Sequence, residues 1–470
     1  MKKTISILML CLCTSVSFAQ KNKATASIII QQGTVKADSM WVLDPAKENT
    51  YFAKPNSRGQ FVLSFSGKFP SSLRMGIDNP KKWQMSYYAE SGDALRVETD
   101  FGSITNFSGK GAGKAEVLYK EAKETEAAFG KMDWQKITAN ELLQLFSKLG
   151  QQAISDLEAN KAKVSPSFYK EQSIALVYKK KGSELTVPLF CKGYLGRKLS
   201  ASIPDNFWDM DKGISMSDEL LANKAYKDFM ASSYPVFIRY RELFNKGIID
   251  TPLSREDGAR LDYRLIENAY TGKVRSVALS RILQNGFESA KEVEVFKPLM
   301  DEYLAKYADA EEAKQVKLSY SNLAKTSVGK VPPFFTLKDQ QGKNVTLKDF
   351  AGKVVYMDFW ASWCSPCRYE MKNGSPKLHE KFKDNKDVVF LYVSIDDRED
   401  LWKKAIADDK VEGVHVLSTG GFKSPVGQAF NIQGVPHYII IGRDGKIFDN
   451  KAPRPSEDKT VGRINNALSK

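Results

Sequence analysis

Val354-Val355-Tyr356-Met357-Asp358-Phe359-Trp360-Ala361-Ser362-Trp363-Cys364-Ser365-Pro366-Cys367-Arg368-Tyr369-Glu370-Met371 is the stretch on which the reading of this chain turns. An apolar run of strand length ends at Trp360, two cysteines follow with two residues between them, and a helical pattern begins at Arg368. A Cys-X-X-Cys at a strand-to-helix junction can make and break one disulfide. The first cysteine meets the helix N-terminus, where free N–H groups and the macrodipole favour the thiolate. Pro366 suits the first helical turn, where its missing N–H costs nothing. Zinc is the rival use of such a pair, but a structural zinc site needs two further Cys or His at matching spacing. The sequence has no second pair. The pair is therefore read as redox-active, with no metal and no other cofactor expected.

Outward from this motif, the beginning of the chain indicates where it works. Lys2 and Lys3 precede the apolar run Ile5 to Val16, and Ser17-Phe18-Ala19 puts small residues before Gln20. Residues 1–19 are read as a secretory signal peptide. The residues before Cys11 and Cys13 lack a lipid-attachment pattern, so a soluble product is expected. The longest later apolar run, Val388 to Ile395, is of strand length and far short of the ~18 residues of a membrane span. An exported protein meets an oxidising compartment, where disulfides persist.

Five cysteines are encoded, and loss of residues 1–19 leaves Cys191, Cys364 and Cys367. One pair and one odd thiol are not a disulfide framework. Nor does so short a loop staple a core, since closing it removes little unfolded-state entropy. Cys191, in Val187-Pro188-Leu189-Phe190-Cys191, reads as a buried small hydrophobe; a mixed disulfide or a redox link to the pair is the alternative.

Removing 19 of 470 residues leaves 451, enough for two to four domains. The formal charge of +14 falls to +12 without Lys2 and Lys3, and the basic residues are interspersed with acids. No single basic stripe stands out, so nucleic acid is not expected as a partner. Three regions are expected after the signal. Residues 20–114 are β-rich, with strands at Ser27–Ile30, Ser39–Leu43, Gln60–Phe65 and Ala94–Thr99 between Gly, Pro, Asn and Asp. Gly109-Lys110-Gly111-Ala112-Gly113-Lys114 fails as a phosphate loop and reads as a closing loop. Residues 115–326 are helical: Leu142, Leu143, Leu145, Phe146 and Leu149 share a face behind a Thr138–Glu141 capping box. Residues 327–470 alternate strands and helices, as in an α/β sheet. The fold class is thus multidomain: an all-β N-terminal domain, a central α-helical region and a C-terminal α/β domain.

Residues of about 327–470 resemble the thioredoxin fold, specifically the exported TlpA/ResA-like thiol-disulfide oxidoreductases of the redoxin superfamily. The carrying residues are Gly352 through Cys364, Pro366-Cys367-Arg368, Glu370-Met371, Gly434-Val435-Pro436 and Ala452-Pro453-Arg454-Pro455-Ser456. Tyr88 to Asp93 and Phe107 to Gly111 resemble, more weakly, the β domain that precedes such modules in exported bacterial proteins. The chain departs from the family in having Ser365-Pro366 between the cysteines, Lys372 after Glu-Met, and His437 after the proline.

The resemblance implies an exported, periplasmic enzyme, a disulfide reductase acting on protein disulfides and recharged by a transmembrane thiol donor. In it Cys364 attacks, Cys367 resolves the mixed disulfide, and Asp358 is the buried acid that takes the Cys367 proton. Val435-Pro436 corresponds to the cis-proline loop facing the cysteines. Trp363, Val435, Pro436 and His437 are the candidate substrate-binding residues, and a His437 imidazolium beside Cys364 would favour its thiolate. His379 and His415 read as structural. Two alternatives remain. A peroxiredoxin-like peroxidase is weakened by Met357 and Ala361, which stand where that motif has Pro and Thr. A binding protein with a vestigial thioredoxin domain is disfavoured by the intact Cys364, Cys367 and Asp358.

Overall fold

The computed structural model describes residues 25–43, 50–77, 82–290 and 292–470. The expected signal segment, with Cys11 and Cys13, lies outside them. The chain divides into two compact units, one holding residues up to Lys131 with Ser155–Lys170, the other Met132–Ile154 with Glu171–Lys470.

The first unit is built on two four-stranded sheets. Strands β1 (Thr25–Gln32), β2 (Met40–Leu43), β3 (Thr50–Ala53), β4 (Gln60–Ser66), β5 (Ser71–Ile77), β6 (Trp83–Ala89), β7 (Ala94–Thr99) and β8 (Ile104–Lys110) form the orders β4-β1-β7-β8 and β3-β2-β5-β6. Alternate residues such as Ile28, Ile30, Leu63, Phe65, Leu73, Met75, Leu95 and Val97 point into one core, the period-2 signature of strands with one wet face. The Gly109–Lys114 stretch is not a loop. β8 runs through Lys110, the helix Ala112–Gly130 follows, and only Gly111 turns, at φ 100°. Lys114 is buried there between Glu90 and Asp93, at 2.5 and 2.7 Å. The last lysine of this glycine-rich run is thus a structural ion-pair partner.

The second unit contains the helical region and the α/β region. The Thr138–Glu141 capping box is present: Glu141 N donates to Thr138 Oγ1 at 3.1 Å and Thr138 N to Glu141 Oε2 at 2.8 Å. One helical core gathers Tyr226, Phe237, Tyr263, Ile266, Leu279, Phe287 and Tyr303. Cys191 is a free, buried thiol among Ile137, Leu142 and Val187, and burial raises its pKa.

The α/β region carries β9 (Leu337–Asp339), β10 (Asn344–Val345), β11 (Val354–Trp360), β12 (Val388–Ser394), β13 (Val414–Leu417), β14 (His437–Ile441) and β15 (Ile447–Asp449), in the order β10-β9-β13-β12-β11-β14-β15. β12 runs parallel to both β11 and β13, while β14 is antiparallel to β11. This is a thioredoxin-like arrangement. β11 is central and buried throughout, as its unbroken apolar run requires of a strand covered on both faces. One face packs Val355, Met357, Phe359, Ile439 and Ile441, and the other Val354, Tyr356, Tyr438 and Ile440. The helices Ser365–Asn373, Ser375–Phe382 and Lys459–Leu468 contribute Cys367, Met371, Leu378, Phe382 and Ile464 to clusters on the second face. Among the described residues no helix is long and apolar enough to cross a membrane.

Candidate active site

β11 hands the chain to the helix Ser365–Asn373 through a tight turn in which Cys364 N donates to Ala361 O at 3.0 Å. Cys364 is the N-cap residue, in extended conformation, with Pro366 in the first turn. Its Sγ accepts from Cys367 N at 3.2 Å. A sulfur so placed receives both a direct N–H and the positive end of the helix dipole, which favours the thiolate over the thiol. Cys364 and Cys367 are joined as a disulfide. Cys364 is 5% exposed and Cys367 fully buried, so an incoming sulfur meets Cys364 first.

The turn is held by acids that the sequence reading did not single out. Buried Asp396, just past β12, accepts from Ser362 N at 2.8 Å, Ser362 Oγ at 2.6 Å and Ser394 Oγ at 2.8 Å. Asp409 binds the guanidinium of Arg368 through Nε and through Nη2 at 2.7 Å, and lies 3.1 Å from Lys372 Nζ. Burial alone would raise the Asp409 carboxyl. The two cations outweigh it and hold the pKa below the ordinary value. The stability this carboxylate contributes is therefore present above pH 3.8 and lost as pH falls through its lower folded pKa. Asp409→Ala is expected to cost about 2–3 kcal/mol, the loss of a charge-assisted pair whose cations can still reach water. Urea unfolding at pH 7 and pH 3 checks this: the deficit relative to the parent shrinks at the lower pH.

Asp358 is 1% exposed, and among the described residues neither carboxylate oxygen has a hydrogen-bond partner. Desolvation, then the charge of Glu370, pushes its pKa well above the ordinary range. Register places Asp358 beside Tyr392 and Tyr438. Strand alternation puts it on the face of Trp360, whose cluster contains both cysteines. Glu370, one helical turn past Cys367, is a second buried acid, accepting from Ser456 N at 3.1 Å and Ser456 Oγ at 2.9 Å. Its signal in the sequence was the Glu370-Met371 match. That match carried no burial, and its partner Ser456 lies 86 residues away.

The Val435–Pro436 peptide is cis. Val435 packs against the cluster that includes Cys364 and Cys367. His437 pairs with Phe359 across the β14–β11 ladder, its ring centroid 6.3 Å from that of Phe359. Phe359 belongs to the face opposite Asp358, so the imidazole points away from the acid. Burial, with the charge of Lys451, lowers its pKa to about 4, which leaves it neutral at pH 7. It supplies no imidazolium to a thiolate there. His379 and His415 are likewise held neutral, each near 4, mainly by burial. Trp363 is 57% exposed and packs edge-on to Phe422 at 6.0 Å. Trp363 and Tyr369, which flank the dithiol in the chain, are both exposed. Phe422 went unnoticed because it lies far along the sequence. Among the described residues no three His, Cys, Asp or Glu side chains gather as metal ligands.

Comparison with known proteins places these features in company. Residues 327–468 match the redoxin family profile. The thiol-disulfide oxidoreductase ResA of Bacillus cereus (strain ATCC 10987) is 30% identical over 129 residues, covering 27% of this chain and 72% of that protein. The thioredoxin-like protein YneN of Bacillus subtilis (strain 168) is 31% identical over 121 residues, 26% of this chain and 69% of that protein. Among solved structures, the thioredoxin domain of a thiol-disulfide oxidoreductase from Bacteroides vulgatus is 36% identical, covering 30% of this chain and 98% of that one, with a TM-score of 0.28.

Proposed function

The chain belongs to the ResA-like thiol-disulfide oxidoreductases of the redoxin family, and we propose that it acts as an exported reductase of protein disulfides. The observation that carries this reading is the pairing of an N-capping Cys364 with a buried, unpartnered Asp358 of raised pKa on the face that packs Cys367.

In the reduced enzyme the Cys364 thiolate attacks one sulfur of the substrate disulfide. The S–S bond breaks, one substrate sulfur leaves as a thiolate, and a mixed disulfide forms. Asp358 takes the proton of Cys367, whose thiolate then attacks Cys364 Sγ and expels the second substrate sulfur. Two electrons pass to the substrate, whose two sulfurs leave as thiolates and take up protons from Asp358 and water, and the Cys364–Cys367 disulfide results. An external thiol donor, which the resemblance suggests is membrane-borne, restores the dithiol. Trp363, Val435 and Pro436 form the docking surface in this reading. Export rests on the sequence of residues 1–19.

Insulin reduction coupled to dithiothreitol tests the activity. Wild type should accelerate it, and Cys364→Ser should fall to the uncatalysed rate. Rapid peroxide turnover in place of insulin reduction would favour the peroxidase alternative.

We also propose that residues 327–470 form a self-sufficient catalyst. The three α/β clusters draw only on residues from Phe335 onward, and the main helical core only on residues before Thr326. A fragment beginning at Thr326 is expected to fold and to reduce a generic disulfide within about threefold of the full-chain rate. A well-folded but inactive fragment, judged by circular dichroism and turnover, would refute this.

A further inference from the structure

A cavity of about 840 Å³ opens between the helices Tyr234–Asn245 and Arg255–Ala269 and the loop of Gly434, Val435 and Pro436. Val435 lines it and also packs against the cluster that holds the dithiol. An occupant would therefore sit one loop away from Cys364. The volume is within the range of ligand sites.

The walls are chemically specific. Arg239 Nη1 donates to Asp262 Oδ2 at 2.6 Å, and its guanidinium lies over the Tyr240 ring, 5.1 Å from the centroid. Asp262 is 7% exposed, and its other oxygen has no partner among the described residues. Burial, opposed by Arg239, lifts its pKa to about 7. Lys192 and Arg255 also line the cavity, and neither makes an ion pair among the described residues. Arg255 is the first residue of its helix, where a cation opposes the macrodipole; Glu256 and Asp257 in the same turn offset it only partly. Glu288, an exposed residue at the rim, adds one carboxylate, and the other lining cations are engaged. Lys451 Nζ donates to Glu288 O, and Arg454 lies 3.9 Å from Glu370 Oε1.

The site thus joins two unpaired cations to a buried carboxyl oxygen in need of a donor. Above pH 7, where Asp262 is ionised, a free phosphate would satisfy the cations but set its oxygens against this carboxylate. A polypeptide brings amide N–H groups together with carboxylate side chains, and so answers both needs. We propose that this cavity is a subsite for an acidic segment of the polypeptide whose disulfide is exchanged at Cys364. The inference rests on the oxidoreductase reading and gives the helical region a role in choosing substrates.

Fluorescence anisotropy with the full chain in its disulfide form tests it without requiring turnover. The probes are a labelled, cysteine-free Glu/Gly peptide and the same peptide with Gln for Glu. The acidic peptide is expected to bind at least tenfold more tightly. The preference should vanish in Lys192→Gln/Arg255→Gln and persist in Lys377→Gln/Lys381→Gln, which alters exposed lysines outside the cavity. Equal affinity for the two peptides, a preference intact in the first double variant, or equal loss in both variants would overturn the proposal. So would displacement of the peptide by inorganic phosphate at equal concentration, which would make the site one for a free anion. Turnover of 2,2′-dithiodipyridine by the reduced wild type reports separately on the oxidoreductase reading.

Discussion

Cys367→Ser is expected to convert the enzyme from a catalyst into a trap. Cys364 keeps its N-cap position and its edge exposure, so attack on a substrate disulfide proceeds. The fully buried Cys367 is the sulfur that would break the resulting bond. With Ser there, the mixed disulfide persists until an external thiol cleaves it. Non-reducing electrophoresis of the exported fraction, followed by mass spectrometry, should show adducts bonded through Cys364. These should be absent from wild type and from Cys364→Ser. A folded, abundant Cys367→Ser protein with no adduct would refute the assignment of the attacking and resolving sulfurs.

Asp358→Asn is expected to slow release of the mixed disulfide by on the order of 10²-fold near pH 7, the lower end of what a positioned general base contributes. Asn matches Asp in shape but cannot take a proton. The pH–rate profile of wild type should contain a limb well above the ordinary carboxylate range, because desolvation and Glu370 raise this acid. The limb should be missing in Asp358→Asn. In Glu370→Gln it should move to lower pH, since one neighbouring negative charge is gone. Stability should move the opposite way to activity. The folded pKa of Asp358 exceeds the unfolded value of about 3.8, so the native state holds this proton more tightly. Stability therefore falls as pH rises from the unfolded value through the folded one. Thermal melts of Asp358→Asn and wild type should coincide near pH 4, with the variant increasingly the more stable at higher pH. An unchanged rate, profile and melting difference would make Asp358 structural only.

The thioredoxin-like region was legible because its signals are local. An apolar run as long as Val354–Trp360 must be a covered strand, and Cys-X-X-Cys-Arg at its end must cap a helix. Both follow from covalent neighbours, and β11 and the helix at Ser365 lie where the pattern puts them. β3, β5, β6 and β8 in the first unit were not anticipated. Ser71–Ile77 and Ile104–Lys110 include Arg, Asn and Gly, and their pairing partners, not their own alternation, make them strands.

The sequence by itself determined which residues can do thiol chemistry, since of the three cysteines after residue 19 only Cys364 and Cys367 stand close enough along the chain to form a bond whatever the fold. It also determined that one of them would meet a helix N-terminus. Tertiary structure alone decided the electrostatics around them. Glu370 and Ser456, Asp409 and Arg368, and Ser362 and Asp396 are each brought together from positions at least 34 residues apart. Tertiary structure also decided the protonation of His437. Alternation along β14 turned it toward Phe359, and burial there left it neutral. The physical reason is one of range. Backbone conformation and the helix dipole act over a few residues, whereas desolvation depends on every element that closes over a group.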